Sequence, residues 1–153
     1  MNRKYSLFLL ILFSSIYLFA QTALSCYDIQ YNPEGGSDSP YIDQSVTVQG
    51  IVSGVNYYSG SGYNNYGFFI SDPAGGPWSG LFIYNQTYHP TVGDLVRVTG
   101  TVNEYYGLTE ISSVTSCQVL SQGNPLPAPS EINTGSLDNF SSGEQWEGVL
   151  VKV

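Results

Sequence analysis

Basic side chains are the scarcest functional class in this chain: 4 Lys+Arg stand against 12 Asp+Glu among 153 residues, for a formal charge of -8. So few cations can displace few counterions, which argues against strong autonomous binding to a phosphate backbone. Histidine occurs once and cysteine twice, without the clustered spacing of a zinc site. No D-x-[DN]-x-[DN]-G run surrounds Asp38, Asp43 or Asp72, so no calcium loop is expected, and neither is any other metal or cofactor. A long 3.6-residue apolar periodicity is also missing, which argues against a helical bundle. The length allows one domain of ordinary size, and the 42% hydrophobic content is enough for a core.

The N-terminus carries a different signal. Asn2-Arg3-Lys4 precede an apolar stretch from Tyr5 to Ala20, the order of a secretory signal peptide, with cleavage expected after Ala20 or Ala23. The stretch is short for a membrane span and includes Ser14 and Ser15, so no span is expected after cleavage. A secreted or cell-surface protein would then retain only Arg97 and Lys152 as basic residues. In an oxidising compartment Cys26 and Cys117 are expected to pair, with lipidation of Cys26 or two free thiols as the alternatives.

Beyond residue 26 short alternating runs are separated by Gly, Pro, Asn and Ser clusters, which predicts an all-β domain with little helix. Tyr27 to Tyr31 reads as a short opening strand. Five further strands are expected at 45–55, 67–72, 81–85, 94–105 and 108–120. Two are long, which favours a small closed barrel over a flat sheet. Val46-x-Val48-x-Gly50-x-Val52 and Val96-x-Val98-x-Gly100-x-Val102 repeat one pattern, with valines on one face and a glycine where each strand must bend.

After Leu120 the run Gly123-Asn124-Pro125-Leu126-Pro127-Ala128-Pro129 reads as a stiff extended linker. Trp146 to Val153 then alternates again. The expected organisation is a signal peptide over 1–23, a barrel over 24–124, a Pro-rich linker over 125–143 and the first strand of a following domain over 144–153. The alternative for that last strand is pairing back onto the barrel.

The order and spacing of several motifs resemble the OB-fold-like N-terminal domain of bacterial extracellular nucleases and related multidomain secreted proteins. The carriers include Gln44-Ser45-Val46-Thr47-Val48-Gln49-Gly50-Ile51-Val52, Gly67-Phe68-Phe69-Ile70-Ser71-Asp72-Pro73, Val92-Gly93-Asp94-Leu95-Val96-Arg97-Val98-Thr99-Gly100 and Glu144-Gln145-Trp146-Glu147-Gly148-Val149-Leu150. The resemblance covers nearly the whole chain after the signal. It implies a five-stranded OB-fold-like Greek-key barrel serving as an accessory to downstream domains of the same chain, including a phosphodiesterase domain. No motif here resembles the catalytic part, and a fold alone does not assign a function.

An OB barrel binds along its second and third strands and through the loops after its first and fourth. Those loops hold Tyr57, Tyr58, Tyr63 and Tyr66, and Tyr105 and Tyr106; Tyr84 lies between, and Arg97 is the barrel's one basic side chain. Such rings stack bases at about 1–3 kcal/mol each, or sugars. Weak contact with single-stranded nucleic acid or a glycan is therefore the expected ligand chemistry; a protein-binding surface and a structural spacer are the alternatives. No catalysis is expected from this chain. His89 stands alone beside Pro90 with no nucleophile elbow, Glu104 and Glu110 read as carboxylates solvating a hairpin, and Asp72 and Asp94 read as turn formers.

Overall fold

The computed structural model describes residues 22–56 and 67–153. Five strands form a closed barrel in the order β1-β2-β3-β5-β4: β1 (Ser45–Val55), β2 (Gly67–Ser71), β3 (Gly80–Tyr84), β4 (Leu95–Tyr105) and β5 (Leu108–Ser121). The all-β barrel expected from the alternation is present, with strand limits within a residue of those expected. Neighbours run antiparallel except β3 and β5, which are parallel. Alternation sorts the side chains. Val46, Val48, Val52, Phe68, Ile70, Leu81, Ile83, Val96, Val98, Val102 and Ile111 point inward and are buried.

The two repeated glycines sit where strands change partner or register. At Gly50 to Ile51, β1 passes from β4 to β2: Gly50 pairs with Val96, and Ile51 pairs with both Leu95 and Ser71. The β4–β5 register slips between Thr99 and Thr101, and a Cβ on Gly100 would stand 2.5 Å from Ile111 Cγ2 and 2.7 Å from the Ser112 carbonyl. Gly100 admits its neighbouring strand at a distance that a side chain forbids, and at Gly50 a Cβ would be tight, 3.1 Å from Ile70 Cβ and the Ser71 carbonyl.

One local expectation fails. Tyr27 to Tyr31 does not make a strand; Cys26–Gln30 is a helix, α1. Ser25 caps it: its hydroxyl accepts from Asp28 N, and Ser25 N donates to the Asp28 carboxylate, a reciprocal capping box. Asp72, at the end of β2, accepts from Cys26 N at 2.9 Å and Tyr27 N at 3.0 Å. The helix sends Cys26 and Ile29 into the barrel core and closes the end where β2 finishes and β3 begins.

Residues 122–153 lie against the barrel. A parallel pair, β6 (Ser130–Glu131) with β7 (Val151–Lys152), is followed in sequence from β6 by a 3₁₀ turn at Thr134–Leu137, a short helix α2 (Phe140–Gly143) and a second 3₁₀ turn at Glu144–Trp146. The alternating run from Trp146 thus opens as a turn and becomes strand only at Val151. Asn124 N donates to the Gly93 carbonyl and Ser130 N to the Leu150 carbonyl.

Candidate functional site: a tyrosine turn and a covered sheet face

The β4–β5 turn is the most exposed aromatic feature among the described residues. Tyr105 pairs with Leu108, leaving Tyr106 (φ +53°) and Gly107 (φ +80°) as a two-residue turn with both φ values positive. This is the type I′ geometry that suits the twist of two antiparallel strands. Glycine or asparagine normally takes the position that Tyr106 holds, since a Cβ crowds the following carbonyl there. Tyr106 is 93% exposed, and its ring meets that of Tyr105 edge-on at 4.8 Å. A ring so presented offers a free stacking face.

Of the other expected ligand residues, Tyr84 and Arg97 lie away from this turn. Tyr84 ends β3 opposite Gly67, half-exposed, its hydroxyl accepting from Gln86 Nε2. Arg97 lies on the outer face of β4, its guanidinium donating to Gln49 Oε1 at 3.2 Å, beside Asp72 and Pro73. Tyr57, Tyr58, Tyr63 and Tyr66 lie outside the described residues.

The outer face of β2 and β3 presents Phe69 and Phe82, ring centroids 4.9 Å apart. The segment from Glu144 to Leu150 runs along this face. Gly80, at the start of β3, packs directly on the Gly148 backbone, so closely that a Cβ at Gly80 would occupy the Gly148 carbonyl; Gly148 itself has φ +63° and lies beside Phe69. The two glycines fit only each other. Trp78 N donates to the Gln145 carbonyl at 2.7 Å, and Thr109 N donates to Glu147 Oε1 at 2.8 Å. Gln30 Nε2 donates to the Gly80 carbonyl at 2.9 Å and reaches Glu147 Oε1 at 3.4 Å. A groove of about 300 Å³ remains beside Phe69, between Ser53, Gly54 and residues 148–150.

The carboxylates here are tied inward. Glu104 accepts from Thr109 Oγ1 at 2.6 Å and Ser39 N at 3.1 Å, and Glu110 is buried. The expectation that this pair solvates the hairpin is therefore corrected: Glu104 is tied to Thr109 and to Ser39, which is brought in from before β1, and Glu110 is bonded to Asn103 across the β4–β5 pair. Burial pushes Glu110 up and Glu144 up, with nearby Glu104 adding to both. Burial also pushes Glu147 up, from 4.5 to about 7, against the hydrogen bonds from Thr109 and Gln30 and with Glu144 and Glu104 adding repulsion. A cleft of about 530 Å³ separates Gly107 from Leu137, Asn139, Glu144 and Trp146. Its acidic wall suits uncharged or cationic groups better than phosphates.

Cys26 and Cys117, expected as a pair, are free thiols. Cys26 is fully buried with Sγ 3.7 Å from the Ile70 carbonyl, directed at β2, while Cys117 is half-buried opposite Val98 on β5. Helix α1 is what turns Cys26 toward β2. Burial pushes both thiols up, Cys117 to about 11, so both are protonated and unreactive at neutral pH. Asp94 holds its turn by accepting from Thr91 N and Oγ1, as expected of a turn former. Asp72 instead serves the helix. His89 is exposed in the loop after β3. Sequence reasoning missed Glu147 and the Gly80–Gly148 contact, and no local signal marks that contact. It also missed α1, although Ser25-x-x-Asp28 is itself the capping-box signature.

No family model matches the chain. It is 34% identical over 117 residues to Endonuclease YhcR of Bacillus subtilis (strain 168), an alignment covering 73% of this chain and 9% of that protein. The chain therefore spans under a tenth of the curated relative's length. Among solved structures it is similar to that of a putative aspartyl-tRNA synthetase from Leishmania major Friedlin, at TM-score 0.48 and 12% identity, over 86% of this chain and 29% of the other. The barrel is thus similar to one region of a nuclease.

Proposed function

We propose that this chain is a non-catalytic, OB-type accessory module of a larger secreted nuclease, whose β4–β5 turn offers Tyr105 and Tyr106 to unpaired bases. The likeness to a segment of Endonuclease YhcR supports the nuclease association. The observation that carries the contact is Tyr106 itself, 93% exposed at a positive φ that an ordinary turn gives to glycine. A strained, exposed aromatic in an otherwise regular barrel is best accounted for by something that it touches. The module's own contribution is stacking, since its charge opposes the phosphate backbone; strong phosphate contacts and phosphodiester cleavage belong to other parts of the larger protein. Removal of an N-terminal signal completes this reading.

The test is titration of a fluorescent single-stranded DNA oligomer with the secreted chain. Weak binding is expected that does not fall between 20 and 200 mM salt, since few counterions are released, and a Tyr105→Ala/Tyr106→Ala double variant should abolish it. Binding that survives the double variant would remove the turn from the site. Scarcity of cations favours a second reading, a neutral glycan stacked on the same rings; polysaccharide binding without oligonucleotide binding would select it.

A further inference from the structure

We propose that residues 144–150 form a proton-closed strap over the outer face of β2 and β3: with the Glu147 carboxyl protonated the strap stays seated on Gly80, and on ionisation it lifts and uncovers Phe69 and Phe82. The inference concerns the chain's own conformation and stands apart from the identity of any ligand.

The strap has one side-chain anchor at its centre. Glu147 Oε1 receives both Thr109 N, from the start of β5, and Gln30 Nε2, from α1, so a single carboxyl joins the strap to two separate elements. What faces this carboxyl is acidic from nearly every side. Glu144 comes from the strap and Glu104 from β4, Asp38, before β1, lies near Glu144, and Glu110 on β5 faces Glu104. Gln30 is the one group that α1 contributes. The Lys and Arg side chains of the described residues are engaged elsewhere, Arg97 with Gln49 and Lys152 with Glu131. An anion formed at Glu147 therefore has two hydrogen-bond donors and no counter-charge in a half-buried site.

The remaining contacts keep the strap close to opening. Trp146 Nε1 is buried without a hydrogen-bond partner among the described residues, and lifting the strap returns it to water. Gly80 and Gly148 touch backbone to backbone, which buries little apolar area. The Trp78 N to Gln145 carbonyl bond holds the start of the strap, and the β6–β7 pair holds its end within the same C-terminal segment. The strap is thus tethered at both ends and latched in the middle.

The sign follows from the raised carboxyl. A group at about 7 when closed and near 4.5 when open keeps its proton only in the closed form through that interval. Closure is favoured in full below the lower value and loses that advantage as pH rises through the upper one. The closed-to-open ratio can fall by at most about 300-fold, and solvent contact at Glu147 reduces this.

Amide hydrogen exchange by NMR on the intact chain reads the latch directly, with the Thr109 N–H as reporter and the core Val98 N–H as control. After correction for intrinsic exchange, Thr109 protection should fall at least tenfold between pH 5 and 8, with a smaller change at Val98. In Glu147→Gln, which keeps the acceptor oxygen, the fall should shrink to less than threefold. Glu144→Gln removes a repulsion on the ionised Glu147 and should make the fall in Thr109 protection smaller than in the wild type. A flat profile in the wild type, a fall matched at Val98, or an unchanged slope in Glu147→Gln would each overturn the proposal. Were Glu147→Gln not to fold, a Glu144→Gln fall as large as the wild type's would do so.

Discussion

Two aromatic pairs in this barrel have nearly the same spacing and opposite fates. Phe69 and Phe82 stand 4.9 Å apart on the β2–β3 face under the C-terminal strap; Tyr105 and Tyr106 stand 4.8 Å apart at the β4–β5 turn, open to solvent. Aromatic content alone therefore does not locate a contact surface. Backbone decides it: a Gly80–Gly148 contact admits the strap over one pair, and a positive-φ turn pushes the other outward.

The contrast breaks most sharply at Gly80. Gly80→Ala places a Cβ where the Gly148 backbone lies, so the strap should come off the sheet at a cost of about 1–3 kcal/mol. Red-shifted tryptophan fluorescence with an unchanged far-ultraviolet dichroism spectrum would report it; an unchanged emission would show that the strap is not held there. Phe69→Ala keeps the strap's hydrogen bonds and removes its apolar support, for about 1–2 kcal/mol by denaturant unfolding. Loss of more than that would place Phe69 in the core rather than on the covered face.

Glu147→Gln acts through pH. Because the folded chain holds this proton from 4.5 to about 7, wild-type stability should be greatest near pH 4.5, decline as pH rises and level off above 7. The variant should match the wild type near pH 4.5 and exceed it by about 1 kcal/mol at pH 8, allowing for solvent screening. Equal stability at pH 8 would mean that the carboxylate is relieved in some other way. Tyr106→Asn is the smallest effect. It should stabilise the turn by up to about 1 kcal/mol while weakening oligonucleotide binding, stability and contact moving in opposite directions. A destabilised variant would show that Tyr106 packs rather than protrudes.

The strands were legible because barrel alternation is local: each of Val46, Val48, Val96 and Val98 reports its own face, and Gly50 and Gly100 mark partner changes within the run that contains them. Helix α1 escaped because it is only five residues long, too short for the spacing of Cys26 and Ile29, three apart on one face, to stand out as a helical period. The inward tie of Glu104 escaped for a different reason. Its partner Ser39 is remote in sequence, and no periodicity records a long-range contact. For the tyrosine turn, Tyr105-Tyr106-Gly107 could be read as a hairpin tip, but the exposure of Tyr106 follows from a φ that only coordinates supply.

The most direct measurement is a ¹H–¹⁵N NMR titration with a single-stranded oligonucleotide at moderate salt and pH 5.5, where the strap is closed. Shifts confined to Tyr105, Tyr106 and Gly107 would support the turn as the contact and the covered face as withheld. Shifts centred on Phe69 and Phe82 under those conditions would contradict it.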